Sequence, residues 1–148
     1  MALLGAECRR DWGAVKTHLV HARSVDPAHG APQAALLAVA LDHAYQGFET
    51  ILVRIERATG LPERTGSSWH SALLADAGMA NPTVRPELFP PEALGDWDAL
   101  LRFRYSLRHA YAVDLDAGKL ATNVQRLERV VAQTDRWLDA VLAGLAAP

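Results

Sequence analysis

The residues with the clearest potential for chemistry lie in one stretch, from Leu100 to Asp114. Its basic and phenolic side chains are Arg102, Arg104, Arg108, His109 and Tyr111. No carboxylate occurs between Asp98 and Asp114, so the stretch is a local basic patch in a chain of net charge -2. A guanidinium group binds phosphate through a fixed fork of donors, and imidazole moves a proton near neutral pH. These groups together suit cleavage or transfer at a phosphodiester.

The apolar residues of this stretch recur at helical spacing, which predicts a helix with one side packed inward. They are Leu100, Leu101, Phe103 and Leu107. A less specific interpretation remains open. Arginines near a helix end are usually solvated, and Arg104 and Arg108 would then be exposed neighbours one turn apart. A histidine in an apolar helix is also more often a satisfied buried group than a base.

Two long amphipathic helices are predicted to position the basic stretch. In the first, from Gln33 to Thr59, apolar residues step by four and three: Leu37, Leu41, Ala44, Phe48, Ile51, Ile55 and Ala58. In the second, from Gly118 to Leu145, the same steps connect Leu120, Val124, Leu127, Val131, Thr134, Leu138, Val141 and Leu145. Asp116 is the predicted cap of the second helix. Such continuous apolar seams favour pairing of the two helices in a near-antiparallel bundle.

Shorter patterns complete the predicted fold. A first helix is predicted from Cys8 to Ser24, and a short one begins with Ser67 or Ser68 as its N-cap. Another opens at Pro91 and leads into the basic stretch. The proline-rich connector before it, residues 81–91, is predicted to be a surface linker. No segment alternates with period two, so we expect an all-α, up-and-down helical bundle of four main helices plus one short helix, in a single domain, 1–148.

Composition excludes several kinds of function. The single cysteine, Cys8, rules out an intrachain disulfide and fits a reducing cytoplasm. No apolar run approaches the length of a membrane span, and the slightly acidic net charge argues against sequence-blind DNA binding. His18 and His21 share a helix face but lack further ligands at metal-binding spacing, so no metal and no cofactor are expected. His70 is predicted to be solvent-facing or a local cap partner, with a catalytic role as the less favoured alternative.

The pattern Arg-x4-His-x-Tyr, formed by Arg104, His109 and Tyr111, resembles the signature of the HEPN superfamily, in particular the HepT-like ribonuclease toxins. The run Ser68-Trp69-His70, followed by two leucines, and the run from Arg102 to Leu115 are similar to the same family. The resemblance extends over roughly residues 31–146. It implies an all-α bundle that forms a homodimer, with two copies of the signature facing each other across a cleft.

The resemblance also implies the roles of individual residues. The protein would be a metal-independent endoribonuclease toxin that cleaves tRNA or mRNA. His109 would move a proton, Arg104 would hold the scissile phosphate, and Arg102 and Arg108 would contact further RNA phosphates. In this superfamily the residue after the motif arginine is often Asn, Asp or His. Here it is Tyr105, so Tyr105 and Ser106 are the candidate polar helpers.

The tyrosine of the signature implies a protein partner. In HepT-like toxins the residue that matches Tyr111 is adenylylated by a minimal nucleotidyltransferase antitoxin, and the added AMP would block the site by bulk and negative charge. One alternative is a non-catalytic helical module that binds a nucleotidyltransferase or its substrate. Another is a purely structural bundle dimer, in which the signature residues are buried and satisfied with no cleft beside them.

Overall fold

The structure is a computed structural model that describes residues 1–109 and 115–146. Five α-helices occur in this part of the chain: α1 (Ala2–Ser24), α2 (Ala31–Ala58), α3 (Trp69–Ala77), α4 (Leu94–His109) and α5 (Ala117–Ala146). Short 3-10 turns, Pro27–His29 and Pro91–Ala93, precede α2 and α4. The described residues form no strand, only an isolated bridge between Asn81 and Arg85. The expected all-α bundle of four main helices and one short helix is confirmed.

The helix ends follow local signals in the sequence. α1 begins earlier than predicted, because Leu4, one turn before Cys8, extends its buried stripe. α2 ends just before Gly60, whose φ of 76° favours glycine. The next N–H group, that of Leu61, closes the helix end by donating to the Glu56 carbonyl at 3.1 Å. The carboxylate of Asp116 accepts from the Lys119 N–H at 2.8 Å, which confirms the predicted cap of α5.

Helix α2 lies at the centre of the bundle, and its most extensive partner is α1. The two long helices do contact each other as predicted, but α2 packs more extensively against α1 than against α5. Gly47 explains the preference. A Cβ atom at this position would lie 2.8 Å from Cγ2 of Val15, so only glycine lets α1 approach α2 this closely. Helix α5 contacts α1, α2 and α4.

An aromatic cluster fixes α4 against α2. The rings of Phe48 and Trp97 stack with their centroids 3.7 Å apart, and Tyr45 meets Trp97 edge to face at 6.1 Å. The Trp97 indole N–H donates to the Thr134 hydroxyl on α5 at 3.3 Å. All of these side chains are buried. The register of α4 is thus set by packing two turns before Arg104, and Arg104 and Arg108 lie beside α2.

The proline-rich connector is not a surface linker, which corrects the prediction. Leu88 and Phe89 are buried in the core, and Phe89 packs against Phe48 with ring centroids 5.9 Å apart. Arg85 is also buried, and its guanidinium donates to the backbone carbonyls of Met79, Asp76 and Pro86. These bonds satisfy backbone groups that a buried loop would otherwise leave unpaired.

A search for membrane-spanning helices in residues 1–109 and 115–146 finds none with the length and apolar character required.

Candidate functional site

A cavity of about 730 Å³ lies between the C-terminal half of α4 and the start of α3. Six residues that sequence analysis selected line it: Arg102, Arg104, Tyr105, Ser106, Arg108 and His109. From the other side it is lined by Ser67, Ser68, His70 and Ser71. Tyr111, the seventh selected residue, lies outside the described residues. The basic stretch therefore borders an accessible cleft.

Arg104 is buried rather than solvated, with only 9% of its surface exposed. Its Nε lies 3.2 Å from Oδ1 of Asp42 in an ion pair, and its Nη1 donates to Oε1 of Glu49 at 3.4 Å. Cζ of Arg104 also lies 6.0 Å from the centroid of the Tyr45 ring. Within the described part of the chain, Nη2 has no hydrogen bond. That nitrogen remains available to an anion, while the two carboxylates fix the plane of the guanidinium.

The other two arginines are more exposed, and each has a carboxylate partner. Nη2 of Arg108 lies 3.2 Å from Oδ2 of Asp42, and this hydrogen bond raises the pKa of Arg108 above its usual value. Arg102 pairs with Asp98, one turn earlier on its own helix, through Nε at 2.8 Å. The patch that looks purely basic along the sequence is thus balanced in space by carboxylates.

Two of these carboxylates, Asp42 and Glu49, come from α2 and were not predicted to belong to the site. Both are buried, at 7% and 6% exposure. Glu49 lies outside the predicted apolar seam of α2, on the face that contacts Arg104 of α4. The spacing of Asp42 and Glu49 in the sequence could have indicated that they share a face. Two acids seven residues apart share a face of a helix, and on this helix they flank the buried Tyr45.

His109 lies exposed in the last turn of α4. Its Nδ1 is 2.9 Å from the backbone carbonyl of Tyr105. A carbonyl only accepts, so Nδ1 carries the hydrogen and Nε2 is left for other partners. The Tyr105 ring stacks on the imidazole, with centroids 4.1 Å apart and planes 18° from parallel. Tyr105 therefore restricts the orientation of His109 by ring contact.

His70 was expected in solvent or as a cap, and the structure places it differently. Its Nδ1 lies 2.7 Å from Oε2 of Glu49, and its ring stacks on Trp69 with centroids 3.7 Å apart. Arg64 helps to set this position, because it pairs with Glu56 of α2 at 2.6 Å and with Asp76 of α3 at 2.8 Å. The contact between α2 and α3 brings a second imidazole into the cavity.

A separate histidine cluster lies between α1 and α2. His43 joins the predicted pair, with ring centroids 5.4 Å from His18, while His21 lies 6.4 Å from His18. Burial lowers the pKa of His18, and the neighbouring His43 and His21 lower it further. A search of residues 1–109 and 115–146 finds no group of three or more potential ligands that could hold a metal ion.

The arrangement in the cavity suits recognition of a phosphodiester. It combines a fixed guanidinium, two more exposed arginines and two imidazoles whose tautomers are set by their Nδ1 partners. Neither curated proteins nor solved structures gave a match to this chain. A family model described as HepT-like protein matches residues 36–145, which include every residue that lines the cavity. The chain therefore belongs to the HepT-like protein family, as its Arg-x4-His-x-Tyr signature predicted.

Proposed function

We propose that this protein is a metal-independent endoribonuclease and the toxin of a toxin–antitoxin pair. Its family connects it with the toxin–antitoxin ribonucleases of the HEPN superfamily. The observation that carries the proposal is that Arg104 and His109 line one cavity from the last two turns of α4. Arg104 is held rigidly there, and the imidazole of His109 is exposed.

RNA supplies its own nucleophile, the 2′-hydroxyl, so proton transfer and charge stabilisation suffice for cleavage. In the proposed reaction the O2′–P bond forms, the P–O5′ bond breaks, and the products are a 2′,3′-cyclic phosphate and a 5′-hydroxyl. Arg104 binds the scissile phosphate and stabilises the charge that grows in the transition state. His109 transfers a proton through Nε2. Arg102 and Arg108 contact flanking phosphates, and Tyr105 and Ser106 act as polar helpers at the cavity wall.

The carboxylates on α2 serve this reaction by orientation. Asp42 and Glu49 hold the guanidinium of Arg104 before substrate arrives, so no reorganisation is needed as charge develops. They also cancel much of the positive charge of the patch. Phosphate would therefore be bound by directed hydrogen bonds at this cavity rather than by a broad basic surface, which agrees with the net charge of -2.

The family also supplies the proposed partner and assembly. A minimal nucleotidyltransferase antitoxin would adenylylate Tyr111, two residues after His109, and the bound AMP would exclude RNA phosphates by bulk and repulsion. Two chains would form a homodimer with their signatures face to face. The protein would act in the cytoplasm, where it meets tRNA or mRNA.

The test is expression of the chain with and without His109→Ala, followed by growth measurement and RNA sequencing. The wild type should arrest growth and leave RNA ends with 2′,3′-cyclic phosphates, and His109→Ala should lose at least about 100-fold in cleavage. His29→Ala is the matched control, because His29 is an exposed histidine that does not line the cavity. Equal growth of all strains, with intact tRNA and mRNA, would remove the proposal.

The burial of Arg104 favours a second candidate, a non-catalytic module that binds a nucleotidyltransferase or its substrate. A purely structural arginine would also be paired with two carboxylates, as Arg104 is. This alternative predicts a stable complex with the partner and no RNA cleavage by either the wild type or His109→Ala. Co-purification with and without His109→Ala, combined with the cleavage assay, distinguishes the two functions.

A further inference from the structure

We propose that His70 is the general acid of the ribonuclease site and that Glu49 is its positioning residue. This inference rests on the proposed function and gives each chain a complete pair of proton-transfer groups. The proton that leaves the 2′-hydroxyl would go to His109, and the proton for the departing 5′-oxygen would come from His70.

The first argument is the matched arrangement of the two imidazoles. Both line the same cavity, one from α3 and one from α4. Each donates through Nδ1, His70 to the Glu49 carboxylate at 2.7 Å and His109 to the Tyr105 carbonyl at 2.9 Å. Both rings are also stacked on an aromatic neighbour, Trp69 or Tyr105. Two imidazoles with fixed tautomers and Nε2 left for a ligand are the groups that a proton relay across a phosphodiester needs.

The second argument is that one carboxylate joins His70 to the phosphate-binding arginine. Oε1 of Glu49 accepts from Arg104, and Oε2 of Glu49 accepts from His70. The carboxylate is buried, and the His70 side chain is 39% exposed. Glu49 therefore fixes the position of His70 relative to the guanidinium that would hold the scissile phosphate. If the bond between His70 and Glu49 served only to hold α3 against α2, Glu49 would not also need to bind Arg104.

The hydrogen-bond partners of the two rings indicate which imidazole is the general acid and which is the general base. A general acid must hold its proton before the reaction begins, and an anionic partner stabilises an imidazolium. His70 has such a partner in Glu49, whereas the partner of His109 is a neutral carbonyl. We therefore assign proton donation to His70 and proton acceptance to His109.

The proposed step is balanced without any further reactant. Nε2 of His109 takes the 2′-hydroxyl proton as O2′ bonds to phosphorus. The P–O5′ bond breaks, and Nε2–H of His70 gives its proton to O5′. The chain ends with a protonated His109 and a neutral His70, and exchange with water restores both.

The charged groups that contact His70 or line the cavity with it are Glu49 from α2 and, from α4, Arg102, Arg104, Arg108 and His109. The proposed reaction needs one neutral imidazole, that of His109, and one protonated imidazole, that of His70. The pH profile of cleavage should therefore be bell-shaped, and loss of His70 should remove its alkaline limb.

The experiment uses the full-length chain and an RNA oligonucleotide that spans a mapped cleavage site. A second oligonucleotide carries sulfur in place of the 5′-oxygen at that site, because a thiolate leaves without needing a proton. His70→Gln keeps an amide that can donate to Glu49 but cannot transfer a proton. It should cleave normal RNA at least about 100-fold more slowly and should approach the wild-type rate on the sulfur substrate. His109→Ala should be slow on both.

His29→Gln is the matched control, because His29 also faces a carboxylate, Asp26, at 3.5 Å but does not line the cavity. The inference is overturned if His70→Gln cleaves normal RNA within about threefold of wild type, or if it is equally slow on both substrates. It is also overturned if His70→Gln and His70→Asn both fail to fold, since His70 would then be structural. If wild type cleaves no RNA, the proposed function itself fails.

Discussion

At the scale of single residues, Arg104 has a structural part in addition to the phosphate-binding role proposed for it. It is buried between α2 and α4, and it neutralises two carboxylates that are almost entirely removed from solvent. Removal of one member of a buried ion pair is costly because the other charge remains without compensation. His109 differs, because its partner is a backbone carbonyl at the end of a helix.

The prediction for Arg104 concerns stability. Arg104→Ala should lower the free energy of unfolding by about 3 kcal/mol at pH 7. The loss of stability should lie at the low end of the range for buried pairs, because each carboxylate retains a second partner. Asp42 still pairs with Arg108, and Glu49 still pairs with His70. Chemical denaturation followed by circular dichroism measures it.

Arg102→Ala is the control for this prediction, since it removes an exposed pair with Asp98 and should cost less than about 1 kcal/mol. Equal unfolding midpoints for the two variants would contradict the burial of the carboxylates on α2.

At the scale of the elements, helical periodicity predicted which side of each helix is apolar but not which helix that side meets. The inward positions of α4 were predicted, and Leu100 and Leu101 are buried. The acids that complete the site belong to α2, more than fifty residues earlier, and only packing reveals that they face α4. The contact of His70 with Glu49 was not predicted for the same reason, since Glu49 lies on a different helix.

Asp135 connects α5 to α1, and the free energy of unfolding should depend on its protonation. It accepts from the Trp12 indole at 2.8 Å and from Lys16 at 3.1 Å, and these bonds hold the pKa of Asp135 below its usual 3.8. A lowered carboxyl pKa contributes stability that is fully present above about pH 4 and is lost as pH falls through the folded-state pKa.

We therefore expect Asp135→Asn to lower the free energy of unfolding by about 1 kcal/mol at pH 7, a value discounted because half of the side chain is exposed. The difference from wild type should shrink as the pH falls from 4 towards 3. Urea unfolding at several pH values measures it, and a difference that is independent of pH would show that the charge of Asp135 contributes nothing.

At the scale of the whole molecule, the sequence predicted an all-α bundle because the apolar seams are long and unbroken. It did not predict the central position of α2 between its neighbours. That arrangement depends on the close approach of α1 at Gly47 and on the burial of Phe89 from an apparently irregular connector. The burial of Phe89 is a detail of side-chain volume, which a pattern of apolar and polar residues does not record.

The small number of arginines at the cavity, in a chain of net charge -2, leads to a prediction about salt. RNA binding should show a shallow dependence of log affinity on log salt, because few phosphates are neutralised. Arg102→Ala should weaken binding and lower that slope by about 0.7 to 1. Both chains should also carry His109→Ala, so that bound RNA is not cleaved.

Arg136→Ala serves as the control for the salt series, because Arg136 lies on α5 and does not line the cavity. An unchanged slope in Arg102→Ala, or an equal change in Arg136→Ala, would show that RNA is bound elsewhere on the surface.

The carboxylates of α2 are shared acceptors, which has a consequence for mutagenesis. Asp42 joins Arg104 to Arg108, and Glu49 joins Arg104 to His70. The effects of single substitutions in this network will not sum, because each one changes the partners left to the others. The double variant Arg104→Met/Asp42→Asn, which removes opposite charges together, should lose less stability than the sum of the losses in the two single variants. Assigning contributions to individual side chains here therefore requires double-mutant cycles.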